Sequence, residues 1–165
     1  MSFLPTKILL ATDGSEEATL AARAAADIVD KTSSELHIVY TEPLPPVYGE
    51  FPTKRFEIRE AVKKEVGDRA QRILDDQVKQ IEAGGVTVAQ AHLRIGRPDE
   101  EIVSLGEEIG TGLVVMGSRG LDGIRRTLMG SVADSVVRHA HCPVLVVRKE
   151  KPEEAAGPHA EVELI

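Results

Sequence analysis

The chain has 165 residues, room for one domain that buries about two-thirds of the surface its unfolded form would expose. Hydrophobic residues at 42% and charged residues at 28% read as a soluble globular protein, and the net charge of −7 excludes a general nucleic-acid binder, which needs a long basic face. Cys142 is the only cysteine, so an internal disulfide is excluded and a reducing compartment is expected.

The first predicted element, "KILLA" over 7–11, is a short apolar run closed by the turn and cap cluster Thr12-Asp13-Gly14-Ser15. Ala18, Ala21, Ala22, Ala25, Ile28 and Val29 then recur at helical spacing, which predicts a helix over 16–31. "ELHIVYT" (35–41) is the second strand. The four prolines of "EPLPPVYGEFP" after it exclude regular structure and predict a loop or flap, so the role of 42–53 stays open. Ile58, Val62, Val66, Ala70, Ile73 and Ile81 mark one face of a long charged helix over 55–83, stopped by Gly84-Gly85.

"VTVAQAHLRI" (86–95) is a third, partly polar strand. Gly96 to Glu101 opens a third helix, with Pro98 in the first turn and acids near the positive end of the dipole. "GLVVMG" (112–117) is the fourth strand, a helix from Ser131 to about His139 follows, and "PVLVV" (143–147) closes the pattern. One domain over 1–148 and a loose tail over 149–165 are expected. Strands alternating with helices imply an α/β fold, a parallel sheet with helices on both faces.

Two strand orders compete, 2-1-3-4-5 and 3-2-1-4-5. Thr87, Gln90, His92 and Arg94 suit an edge strand, whereas "LHIVY" is more apolar, which favours 3-2-1-4-5. The chain then reverses between strands one and four, where ligands bind beside the strand C-termini. The loops flanking that point are Thr12–Ser15 and the glycine-rich stretch after Gly117.

Bare glycines let a ligand approach main-chain N–H groups, and a helix N-terminus adds roughly half a positive charge. Arg119, Arg125 and Arg126 add cations, completing the parts of a phosphate cradle. No Gly-Lys-Ser/Thr follows, so this is not a P-loop, and Gly117, Gly120 and Gly123 do not give the dinucleotide spacing G-x-G-x-x-G.

The spacing present is G-x-x-G, nine residues, then G-S: Gly117, Gly120, Gly130, Ser131. With "KILLATDGSEEA", "GRPDEEIV", "VVMGSRG", "LMGSVADSVV" and "CPVLVV", it closely resembles the nucleotide-binding branch of the universal stress protein family. The resemblance implies a Rossmann-like, five-stranded 3-2-1-4-5 sheet of the adenine nucleotide alpha hydrolase type. It also implies a homodimer and ATP as cofactor, with Mg carried on the phosphates. Ala11 would lie beside the adenine, Thr12 next to it, Asp13 at the ribose, and Thr41 at the base through its backbone. Met116 and Gly117 would line the nucleoside, while Arg119, Gly120, Gly130, Ser131 and Val132 would surround the phosphates. Ala11 stands where many ATP-binding relatives carry proline, which would loosen the adenine slot. Thr111-Gly112 replaces the family's usual Ala-Asp, a change expected to affect helix packing more than ligand.

Plainer roles compete with these. Asp13 and Ser15 can simply cap a helix, and Ser131 with Asp134 fits a capping box. Met116 alone would be ordinary core. His139, His141 and Cys142 lack a completing partner for metal and read as a helix C-terminus followed by a buried thiol, so no metal site is expected. "PVLVV" is an uncharged edge run that invites pairing with a second copy, hence a homodimer through 143–147.

The expected function is a homodimeric, ATP-dependent regulatory module of the stress response, with a downstream protein partner that the sequence does not name. A slow ATPase or autophosphorylating enzyme is one alternative, and weak ATP hydrolysis is the most that reading allows. A structural dimer without nucleotide is the other. No secretory leader pattern is seen in "MSFLPTKILLATD", and no run nears the ~20 residues of a membrane span. A cytoplasmic protein with no membrane partner is expected.

Overall fold

The computed structural model describes residues 4–46, 52–119 and 129–149, with side chains omitted at 52–54. Among the described residues five strands and four helices alternate: β1 (Lys7–Thr12), α1 (Glu16–Thr32), β2 (Glu35–Glu42), α2 (Pro52–Ala83), β3 (Val88–Ile95), α3 (Pro98–Ile109), β4 (Leu113–Gly117), α4 (Ser131–His139) and β5 (Val144–Val147). All pairings are parallel and the order is β3-β2-β1-β4-β5. The reversal therefore falls between β1 and β4, with the polar β3 at one edge and β5 at the other.

Alternation along the strands sends side chains to two cores. Ile8, Leu10, Leu36, Ile38, Tyr40 and Val115 meet Ala21 and Ala25 of α1 and Ala70 and Leu74 of α2. On the opposite face Leu9, Val39, Val114 and Met116 meet Ile102 and Leu105 of α3 and Ala133 and Val136 of α4. Alanines on the buried stripe of α1 let that helix lie close to the sheet. Its C-terminus is closed by Ser33 in the left-handed region at φ 56°, whose N–H donates to the Val29 carbonyl.

The structure corrects two boundaries and one buried face. Pro52, counted above among loop prolines, is the first residue of α2, because a missing N–H costs nothing in a helix's first turn. Within α2 the buried stripe is Val66, Ala70 and Leu74, while Ile58 is exposed, so only the later turns reach the sheet. Val86 and Thr87 precede β3, whose register with β2 shifts between Leu36 and His37.

Thr111 and Gly112 meet the start of β1. The Thr111 hydroxyl donates to the Lys7 carbonyl at 3.2 Å, and the Gly112 N–H to the same oxygen at 3.0 Å. This is the strands' N-terminal end, away from the β1–β4 crevice, so the departure acts on packing.

Candidate functional site

The C-terminal ends of β1 and β4 open beside two turns, Asp13–Ser15 and Ser118–Arg119. Asp13 Oδ1 accepts from the Ser15 N–H at 2.9 Å, and Ser15 Oγ accepts from the Ala18 N–H at 3.1 Å. Both residues thus hold the entry of α1, as the capping argument expects.

Ala11, Thr41 and Met116 fall on the face of the sheet covered by α3 and α4. Ala11 and Met116 do so by packing, and Thr41 by alternation with Tyr40 on the other face. Met116 is 5% exposed, Ala11 and Thr41 are half-buried, and Val132 of α4 packs against the same cluster. Thr12 diverges: its buried hydroxyl donates to Gln77 Oε1 of α2 at 3.1 Å, on the far face. Thr12 can therefore offer this crevice only its backbone.

α4 begins at the mouth of the crevice. Its N-cap is Gly130, extended at φ −61°, with no side-chain cap. Ser131 is consequently the first helical residue and exposed, not the N-cap, and the Ser131–Asp134 capping box does not form. Asp134 pairs instead with Arg138 at 3.0 Å. An uncapped first turn leaves helix N–H groups and a positive dipole end for another acceptor.

The two described glycines of the motif have local reasons to lack a side chain. A β-carbon on Gly117 would lie 2.9 Å from Glu17 Cβ, in the first turn of α1. One on Gly130 would lie 2.9 Å from the Ser118 carbonyl oxygen, to which the Gly130 N–H donates. Bare Cα atoms thus let the first turns of α1 and α4 close on the same leg of chain. Gly120, Asp122, Gly123, Arg125 and Arg126 lie outside the described residues.

Glu17 was missing from the predicted site. Its Oε2 accepts from the Ser118 hydroxyl at 2.5 Å and from the Arg119 N–H at 2.8 Å. Glu17 thus joins Asp13 as a carboxylate beside the two turns. Nothing in local spacing announces a contact spanning this much sequence. Gln77 was missed for the same reason.

Polar networks flank the site. The Tyr40 hydroxyl donates to Glu42 Oε2 at 2.7 Å, and Arg69 donates to Glu42 Oε1 at 3.1 Å. Burial first, then the Glu42 bond, pushes the Tyr40 phenol up to about 12. On the other face the Ser135 hydroxyl donates to Asp99 Oδ2 at 2.7 Å and holds that carboxyl below its usual range. His139 Nδ1 contacts the Ser135 carbonyl at 2.8 Å at the end of α4. Burial raises the Cys142 thiol. Among the described residues no cluster of three or more His, Cys, Asp or Glu is arranged to hold a metal. Nor is any described helix long and apolar enough to cross a membrane.

Comparison with known proteins gives the same architecture. The model of the universal stress protein family matches residues 5–148. Universal stress protein MJ0531 of Methanocaldococcus jannaschii is 37% identical over 147 residues, covering 89% of this chain and 84% of its own. A putative universal stress protein of Staphylococcus haemolyticus, SH1215, is 34% identical over 151 residues, covering 87% and 85%. Among solved structures, the protein MJ0577 superposes with TM-score 0.74 at 26% identity, covering 89% of this chain and 98% of that one. A universal stress protein solved in complex with cAMP shares the fold, with TM-score 0.58 at 24% identity and coverage of 89% and 99%. The chain belongs to the universal stress protein family.

Proposed function

We propose that this member of the universal stress protein family binds an adenine nucleotide in the crevice between β1 and β4. ATP with Mg is the ligand, and the protein acts as a homodimeric regulatory module of the stress response. The observation that carries the reading is α4: its first turn starts at Gly130 with no side-chain cap, at the reversal point of the sheet.

The residues present fit such a ligand. Ala11 and Met116 give an apolar wall for the base on the α3/α4 face, and Asp13 lies on the adjoining turn. Ser131 and Val132 begin the helix whose N-terminal amides would take phosphate oxygens. In a chain of net charge −7, a triphosphate with about four negative charges calls for a cation, and Mg²⁺ bound to the phosphates supplies it.

A binding role is preferred to an enzymatic one. Phosphoryl transfer requires an oriented nucleophile besides a cradle. The carboxylates near the crevice, Asp13 and Glu17, serve as acceptors for backbone N–H groups of the two turns.

The test is the nucleotide content of purified protein after denaturation, with calorimetry of ATP, ADP, AMP, cAMP and adenosine, with and without Mg. The proposal expects equimolar binding of ATP that weakens without Mg. No recovered nucleotide and no heat with any of the five would overturn it. Phosphate release no faster than in Asp13→Ala would remove the enzyme alternative.

A further inference from the structure

Glu17 sits in the first turn of α1, after the Ser15 cap, and its side chain crosses to the leg of chain that leaves β4. One oxygen, Oε2, accepts from both the Ser118 hydroxyl and the Arg119 amide, at 2.5 and 2.8 Å. Ser118 is 3% exposed and Glu17 half-buried, so the contact is partly withdrawn from water. It bridges the two turns that flank the chain reversal. Gly117 makes the bridge possible, because a β-carbon there would meet Glu17 Cβ at 2.9 Å and hold α1 away.

A backbone N–H and a hydroxyl converging on one carboxylate oxygen form a small anion site. Here the chain fills it with its own anion. The same leg is tied to α4, since the Ser118 carbonyl accepts from the Gly130 N–H at 2.6 Å. A fixed negative charge therefore stands beside the helix terminus that would receive phosphates.

We propose that Glu17 is an internal competitor for the anion site formed by the Ser118 hydroxyl and the Arg119 amide, making the crevice discriminate against polyphosphate charge. This rests on the nucleotide reading for its biological sense. The contact itself is independent of any base. A phosphate chain entering here either displaces Oε2 from Ser118 and Arg119 or lies against its charge. Either event weakens binding in proportion to phosphate charge and leaves a bare nucleoside unaffected.

The experiment compares wild type with Glu17→Gln and Ser118→Ala by calorimetry, using inorganic tripolyphosphate, ATP and adenosine. Gln is nearly isosteric, and its amide oxygen can still accept from Ser118 and Arg119, so the loop keeps its support. Ser118→Ala keeps the charge but removes one of its two anchors. Glu17→Gln should bind tripolyphosphate and ATP about fivefold or more tighter, as expected for removing a nearby unit charge, with adenosine unchanged. Ser118→Ala should move in the same direction by less. Weaker or unchanged tripolyphosphate binding in both variants would overturn the proposal and make Glu17 a brace of the loop. So would equal gains for adenosine. If ATP fails to bind any form while tripolyphosphate still gains, the nucleotide reading falls and the Glu17 inference stands. If neither binds, both fall.

Discussion

A β-carbon has no room at Gly117 or at Gly130, and in both cases the obstacle is the chain itself. Gly117→Ala pushes against the first turn of α1, and Gly130→Ala against the Ser118 carbonyl. Overpacking of this kind costs about 1–3 kcal/mol, so each variant should lower the denaturant midpoint with the slope preserved. Unchanged midpoints would show that the crossing has room for a β-carbon. A loss of ATP binding in either variant would mix loop geometry with ligand space, which makes Glu17→Gln the cleaner probe.

Asp99 offers a second test at this scale. Ser135 chiefly holds its carboxyl below the usual range, with a smaller part from Arg97. A depressed folded value means the contact stabilises above the unfolded carboxylate value and is lost as pH falls through the folded one. Ser135→Ala should raise the Asp99 titration, followed by NMR at the carboxyl carbon, and reduce the acid-side loss of stability. An unmoved titration would contradict the assignment.

Among the elements, most were legible because each carried its own signal. The alanine stripe of α1, Pro98 with three acids opening α3, and Gly110 at φ 66° closing it are local chemistry. The start of α4 at Ser131 was legible, but its capping was not: Ser131-x-x-Asp134 satisfies a capping pattern, whereas the N-cap is Gly130 and Ser131 is already helical. Pro52 was misread because a proline in a helix's first turn looks like one more loop proline. The early turns of α2 carry a periodic apolar face but outrun the sheet, as exposed Phe56 and Ile58 show. Periodicity reports a helix, not what lies beneath it.

The edge strand β5 belongs to this scale as well. Leu145 is 37% exposed on a strand that has no partner on its outer side among the described residues, and Val137 of α4 is 45% exposed. The proposed homodimer pairs β5 with its copy, giving the edge a partner. Leu145→Lys should shift the sedimentation of the protein to that of a monomer while secondary structure is retained. A dimer that persists unchanged would place the interface elsewhere.

For the molecule as a whole, the polar side chains of β3 were enough to choose β3-β2-β1-β4-β5 over its rival, and the crevice position follows from that order alone. What could not be read was contact across the crevice. Glu17 to Ser118 and Thr12 to Gln77 join segments whose proximity exists only after the sheet has assembled. The sequence could nominate loops and glycines, and the fold then supplied their companions.

The two cores depend on the same central strands. Leu10 is fully buried on β1 between α1, α2 and its strand neighbours, so Leu10→Ala should cost about 2–5 kcal/mol in chemical unfolding. A cost below about 1 kcal/mol would mean that this core can collapse around the missing atoms.

The proposal stands on the uncapped start of α4, tied through Gly130 to Ser118 on the chain leaving β4, receiving nucleotide phosphate. An amide-resolved NMR titration with MgATP tests it most directly. The largest shifts are expected at Ser131, Val132 and Ala133, with a second set at Ala11 to Asp13 and Met116, and adenosine moving only the second set. Saturating MgATP that leaves the α4 amides in place, or moves only residues remote from the β1–β4 crevice, would contradict it.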